Sequence, residues 1–170
     1  ARTAPPRPPP PVAAAARRAA VAAGRPVSPL TSARDVEDAL RVVEVAPGAL
    51  EARVRAEAEA ARAEFVAAES GRVAVVAAAP AVPALRAALG LADAGGEDPV
   101  VVLDPVQVKG LEFDAVVLVE PADVATGPSG PSDLYVAMTR PTQRLVVVHA
   151  RPLPAGVAPA PSDDARGAGA

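Results

Sequence analysis

Short runs of valine, alanine and leucine recur along the chain, and they constrain its fold more than any other feature of the sequence. In the run RVAVVAA at residues 72–78, every residue after Arg72 is apolar, as is typical of a strand that is buried on both faces of a sheet. Similar runs predict further strands at residues 41–45, 100–103, 115–119 and 145–149. The sequence therefore predicts a sheet whose two faces are both covered.

Helical patterns lie between these runs. A helix predicted over residues 50–65 has one apolar face, formed by Leu50, Val54, Ala58, Ala61 and Phe65. Shorter helices are predicted at residues 83–89 and 133–139, the second preceded by a loop at 127–131 and with Ser132 as its N-cap. Strands that alternate with helices predict an α/β fold with a mainly parallel sheet and flanking helices.

Both ends of the chain are rich in proline and alanine. Residues 1–33 are predicted to be partly disordered, with a proline-dense stretch at 5–11 and a short helix at 13–23. The predicted folded domain spans residues 34–151. Residues 152–170, rich in proline, alanine, glycine and aspartate, are predicted to form a disordered tail.

The composition excludes several classes of site. The sequence has no cysteine, and its one histidine is His149, so no metal site based on these residues is expected. A net charge of −3 and an aromatic content of 2% argue against a chain that grips nucleic acid by itself. No apolar run approaches the ~20 residues that a membrane span needs, and no signal peptide is recognisable. A cytoplasmic protein without membrane contact is expected.

Lys109 is the one lysine of the chain, and every other long cationic side chain is an arginine. Parallel sheets bind ligands beyond the carboxyl ends of their strands, which directs attention to residues 104–110 and to the turn through Arg140. A compact cation beside Gly110 suits a phosphate or an acidic partner group. Other uncommon residue types nearby are expected to be structural, namely Phe113, Tyr135, Met138 and His149.

Two segments resemble motifs of the UvrD-like superfamily-one helicases. VKGLEFDAVVLVEP at residues 108–121 resembles motif V, and LYVAMTRPTQRL at 134–145 resembles motif VI, in the order that the family has. Arg2 and Thr3, followed by Pro5, resemble the tail of motif IV. The resemblance implies a RecA-like domain, the second of two such domains that enclose ATP between them.

The resemblance also implies a role for each matching residue. Arg140 corresponds to the motif VI arginine, an arginine finger that reaches the γ-phosphate of ATP and stabilises charge during phosphoryl transfer. Glu112 of motif V is expected to hydrogen-bond the ribose or to couple the cleft to the translocation track. Lys109 and Gly110 are expected beside the nucleotide, and Arg2 would be a second γ-phosphate contact.

Purely structural roles are the alternatives for these residues. Arg140 ends a predicted helix, where the helix dipole alone favours a cation. Pro141 disfavours helical geometry at Arg140, so its side chain is expected to leave from a turn. Glu112 and Asp114 have the alternative of being solvated loop acids.

The chain also departs from the family pattern. Val106 stands where the DNA helicases carry a histidine that contacts nucleic acid, and the form VAMTRPT is closer to the HelD-like branch, whose motors act on RNA polymerase. No G-x-x-x-x-G-K-[ST] phosphate loop is present. The chain alone is therefore not expected to hydrolyse ATP, and the ligands of Mg²⁺ are expected in an N-terminal RecA-like domain.

The function that these features favour is that of the C-terminal half of an ATP-dependent UvrD/HelD-like helicase or translocase. Its hydrolysis of ATP would drive remodelling of RNA polymerase or of nucleic acid. One alternative is a stand-alone, catalytically inactive helicase-like module that binds a partner protein. Another is a fragment of a DNA repair helicase, and an unrelated nucleotide-binding α/β domain is disfavoured by the paired motifs.

Overall fold

The computed structural model describes residues 7–25, 39–66, 71–91, 98–127 and 129–158. Its strands are β1 (Leu40–Glu44), β2 (Val73–Val76), β3 (Val100–Leu103), β4 (Phe113–Val119) and β5 (Pro141–His149). Its α-helices are α1 (Pro10–Ala22), α2 (Leu50–Ala61), α3 (Val82–Ala88), α4 (Pro121–Ala125) and α5 (Gly130–Met138). Among these residues no helix has both the length and the apolar character needed to cross a membrane.

The strands form one five-stranded sheet in the order β1-β5-β4-β2-β3. All neighbouring strands run parallel, and Val75 in β2 pairs with Val102 on one side and with Val117 on the other. The α/β fold with a parallel sheet, predicted from alternating apolar strands and helices, is confirmed. Its central strands are buried on both faces, as the continuous valine runs indicate.

Two helical layers cover the sheet. Helices α1 and α5 pack on the face that carries Val116 and Leu118 of β4, while α2 and α3 pack on the face that carries Val117 and Val119. Each of these side chains is at most 2% exposed. Full burial of such a side chain stabilises the fold by about 1.5–3 kcal/mol relative to exposure.

Helix α1 belongs to the same core as the sheet. Its residues Val12, Ala15 and Ala16 are fully buried there, together with Val157 from the other end of the described chain. Arg18 of α1 donates hydrogen bonds to the carbonyl oxygens of residues 156 and 158, at 3.3 and 3.0 Å. One core therefore includes residues from all three segments into which the sequence analysis divided the chain, while the boundaries of that division stay a prediction.

Several predicted element ends are wrong, and prolines explain two of the differences. Helix α1 begins at Pro10 and not at residue 13. Proline is tolerated in the first turn of a helix, because the N–H group that it lacks would have no partner within the helix there. Strand β5 begins at Pro141 and not at residue 145, because the first residue of a strand can lack its N–H. Helix α2 ends at Ala61, and a π-helical turn continues it to Val66.

The predicted N-cap at Ser132 is also wrong. Helix α5 begins at Gly130, with Ser129 at the N-cap position and no side-chain cap hydrogen bond. A β-carbon at residue 130 would lie 1.9 Å from the carbonyl oxygen of Ala125, so only glycine fits where α5 meets the end of α4. Helix α4 has five residues, too short to give a periodic pattern, and was not predicted.

Candidate functional site

Arg140 and Glu112 lie side by side at the amino edge of the sheet, where its strands begin. Glu112 precedes β4 and Arg140 precedes β5, and these two strands are neighbours. The backbone amide of Phe113 donates a hydrogen bond to the carbonyl oxygen of Arg140, with an N···O distance of 3.2 Å. The two resembling motifs therefore meet in space, although at the edge opposite to the one that the rule for parallel sheets predicts.

The side chain of Arg140 lies against the end of α5. The helix ends at Met138, so Arg140 leaves from the turn before Pro141, as expected. Its Nε atom donates to the carbonyl oxygen of Val136 at 3.1 Å, and its Nη2 atom donates to Oγ1 of Thr139 at 3.3 Å. A guanidinium has five N–H donors, so this cap leaves it donors for a further acceptor.

Lys109 and Gly110 lie in successive turns between β3 and β4. Val108 is fully buried and anchors this segment, while Lys109 and Gly110 are exposed. Gly110 has a φ angle of 76°, and a β-carbon there would meet no atom within 4 Å. The left-handed conformation alone accounts for glycine at this position, independently of its expected place beside the nucleotide.

Asp114 holds the starts of three strands together. Its Oδ2 atom accepts a hydrogen bond from the amide of Arg72 before β2 at 2.7 Å, and its Oδ1 atom accepts one from Nε2 of Gln143 in β5 at 3.0 Å. Phe113 pairs with Pro141 and Ala115 with Arg144, so β5 has a bulge opposite Asp114. Asp114 is therefore a positioning residue of this edge and not a solvated loop acid.

Arg72 is a cation of this edge that sequence reasoning did not assign to the site. Its guanidinium carbon lies 5.1 Å from the centroid of the Phe113 ring, within the range of a cation–π contact. Arg72, Glu112 and Arg140 thus precede three strands that are adjacent in the sheet, β2, β4 and β5. Only the strand order places Arg72 here, because it is 40 residues or more from Glu112 in sequence.

The other predicted residues have simpler positions. Phe113 and Met138 lie in the core, at 2% and 0% exposure, and Tyr135 packs half-buried against it. His149 is buried at the carboxyl end of β5, with its Nδ1 atom 2.7 Å from the carbonyl oxygen of Arg151. The structural roles expected for these residues are confirmed. Arg2 lies outside the described residues.

The described residues at this edge fit a phosphate better than a metal ion. Arg72 and Arg140 at this edge, and Lys109 in the loop that leads to it, supply three cationic groups, and none of them forms an ion pair with a carboxylate of the described residues. Glu112 is the one carboxylate of the described edge that is not committed to holding it together. Both oxygen atoms of Asp114 already accept hydrogen bonds. A Mg²⁺ ion, which prefers oxygen ligands in octahedral geometry, would need ligands from another domain.

Comparison with known proteins identifies the fold. No protein-family model matches the sequence, and no curated protein matches it. Among solved structures, the chain is similar to the C-terminal domain of a possible DNA helicase from Lactobacillus plantarum WCFS1, with a TM-score of 0.68 and 19% identity. The match covers 94% of this chain and 96% of that one. The chain therefore has the RecA-like α/β fold of that domain, as its motifs imply.

Proposed function

We propose that the chain is the C-terminal, nucleotide-cleft half of an ATP-dependent UvrD-like motor of the HelD-like branch. The observation that carries the proposal is the hydrogen bond between the Phe113 amide and the Arg140 carbonyl. It brings the segment that resembles motif V against the segment that resembles motif VI. In a two-domain motor, this edge would face ATP bound by an N-terminal RecA-like domain with its own phosphate loop.

Arg140 is the arginine finger in this proposal. Its guanidinium would give up its hydrogen bonds to Val136 and Thr139 and turn to the γ-phosphate as the two domains close. There it would stabilise the charge that develops on the phosphoryl oxygens, an effect worth roughly 10³–10⁵ in rate. Before the domains close, the same hydrogen bonds hold the side chain at the edge, so the guanidinium would need only a short reorientation to reach the γ-phosphate.

The neighbouring residues bind and position the nucleotide in this proposal. Lys109 and Arg72 would attract the triphosphate as exposed cations, and Glu112 would accept a hydrogen bond from the ribose. Arg2 would contact the γ-phosphate as a second arginine. ATP and Mg²⁺ are the implied ligands, with the Mg²⁺ ligands on the N-terminal domain.

The target proposed for the complete motor is RNA polymerase, with nucleic acid as the alternative. The exposed side chain of Val106 supports this choice, because it stands where a DNA helicase has a histidine for nucleic acid. The net charge of −3 also favours a protein target over nucleic acid. A motor of this kind would use ATP binding and hydrolysis to remodel a protein complex.

The test begins with the intact mass of the native polypeptide, captured from its source cells with an antibody against this domain. A mass several times 16.9 kDa is expected for a motor. A mass near 16.9 kDa would overturn the motor and favour the stand-alone module.

Steady-state ATP hydrolysis by the full-length polypeptide then tests the finger. Arg140→Ala should lower kcat by at least about a thousandfold, with unchanged circular dichroism. Arg140→Lys should not restore the rate, because lysine lacks the planar fork of donors. Arg55→Ala, which removes an exposed arginine of α2, is the matched control and should leave kcat unchanged. Undiminished turnover in Arg140→Ala would show that this side chain is not the finger.

A further inference from the structure

A groove lies at the carboxyl edge of the sheet, opposite to the edge that carries Arg140. Its volume is about 500 Å³, and it is bounded by the turn after β2, the loop after β3 and helices α4 and α5. Ala78, Pro80, Pro105 and Val124 supply much of its apolar lining. The proposed nucleotide cleft does not use this groove.

The charged lining of the groove is mainly acidic. Asp104, Asp123 and Asp133 contribute three carboxylates, and Arg151 is the one cation of the lining. Arg151 is already engaged, because its Nη1 atom lies 2.6 Å from Oδ1 of Asp123. The lining therefore has an excess of negative charge, which repels phosphate and attracts a cation.

Asp133 has the carboxylate that is least satisfied. Its Oδ1 atom is buried and accepts no hydrogen bond from the described residues. By contrast, Oδ1 of Asp104 accepts two, from the amides of Val106 and Gln107, both at 2.9 Å. A buried acceptor without a partner gains from an incoming donor, and a charged donor gains most.

Val106 gives the rim of the groove an exposed apolar side chain. It is 64% exposed, the most of any large hydrophobic residue in the described part of the chain. The backbone amide of Val106 is held by Asp104, so the side chain stays on the rim. An exposed valine beside carboxylates is suited to a polypeptide with both apolar and basic side chains, and it offers nothing to a phosphate.

We infer that this groove binds a segment of a partner protein in which an arginine or lysine stands next to apolar residues. The cationic group would donate to Asp133, and the apolar neighbours would cover Val106 and the alanine and proline lining. Charge complementarity selects this occupant over nucleic acid. The inference does not rest on the proposed nucleotide function, since it uses no residue of the amino edge.

Amide chemical-shift mapping of the whole ¹⁵N-labelled chain tests the inference. The probes are acetyl-Leu-Arg-Val-amide, acetyl-Leu-Glu-Val-amide and a thymidine dinucleotide. The arginine peptide should shift the amides of Val106, Gln107 and Asp133, and the other two probes should leave them in place. Absence of these shifts with the arginine peptide, or equal shifts with either other probe, would overturn the inference.

Variants then locate the contacts. Asp133→Asn should weaken binding of the arginine peptide about tenfold, as expected for the loss of one charge-assisted hydrogen bond. Val106→Ser should weaken it too, and its exposed position makes the fold insensitive to the change. Glu59→Gln, which removes an exposed carboxylate of α2, is the control and should bind as the unchanged chain does. Equal affinity in all three variants would contradict the assignment.

Discussion

The carboxylate of Asp114 accepts a hydrogen bond from the backbone amide of Arg72, and the O···N distance is 2.7 Å. Through its other oxygen atom the same carboxylate accepts from Gln143, so one side chain joins β2, β4 and β5. Asp114→Ala should lower the free energy of unfolding by about 2 kcal/mol, since both donors lose a charged acceptor. Urea denaturation measures this loss.

Gln143→Ala is the comparison for that prediction. It removes one of the two hydrogen bonds and should cost about 1 kcal/mol or less. Equal losses of stability in the two variants would mean that the hydrogen bond from the Arg72 amide to Asp114 does not stabilise the fold.

Gly110 and Gly48 provide a matched test of backbone conformation. A β-carbon at either residue would meet nothing within 4 Å, but only Gly110 has a positive φ angle, 76°. Gly110→Ala should therefore lower the free energy of unfolding by about 1–2 kcal/mol, the cost of a left-handed conformation for an L-residue. Gly48→Ala should cost nothing measurable in the same thermal or urea experiment. A loss at Gly48 as large as that at Gly110 would contradict this explanation.

Glu57 is a buried carboxylate between two arginines of different elements. It is 6% exposed, accepts from Arg41 of β1 at 3.0 and 3.3 Å, and accepts from Arg53 of α2 at 3.0 Å. Glu57→Ala should lower the free energy of unfolding by about 2 kcal/mol, because α2 loses its polar link to the edge strand.

The exposure of the two arginines limits the cost of losing Glu57. Their side chains are 39% and 42% exposed and can return to water, so the loss stays below the ~3–5 kcal/mol of a fully buried pair. Glu59→Ala, on the exposed side of α2, should change stability by no more than about 0.5 kcal/mol. A double-mutant cycle with Arg53→Ala separates the contribution of the two pairs.

The backbone of Glu120 has an unfavourable left-handed conformation, while its side chain accepts two hydrogen bonds. Its φ angle is 47°, the one positive value at a non-glycine position in the described residues. Its Oε1 atom accepts from the amides of Ala150 and Arg151, at 2.8 and 3.2 Å. Glu120→Gly would recover about 1 kcal/mol of strain but would lose bonds worth about 2–3 kcal/mol in total, so a net loss is expected. A more stable glycine variant in thermal unfolding would mean that strain outweighs the hydrogen bonds.

Much of the fold could be predicted because most of its strands are apolar runs rich in valine. Residues 73–76 and 100–103 lie inside or match the predicted strands, since burial on both faces requires continuous apolar sequence. The predicted starts of α1 and β5 were wrong because these elements begin at prolines, at residues 10 and 141 respectively. Both occupy a first position, where proline is tolerated, but a local pattern treats proline as a break.

The candidate site could be predicted only in part. Glu112 was found through a motif, and Lys109, Gly110 and Arg140 were found through their place in the sequence as well as through motifs, all of which are signals local in sequence. Arg72 was not found, because its place beside Phe113 depends on β2 and β4 being neighbours. The groove at the carboxyl edge was not predicted for the same reason. Its carboxylates come from separate segments that only the strand order brings together.

The strand order also has a consequence for how the protein is made. Strands β4 and β5 insert between β1 and β2, so β1 leaves the ribosome before β5, the strand with which it pairs. Until residues 113–149 have been synthesised, β1 and the β2–β3 pair expose unpaired edges, which are prone to aggregation. Sheet closure therefore waits for the same segment that carries Arg140, and a nascent chain cannot complete its sheet before it also has this residue.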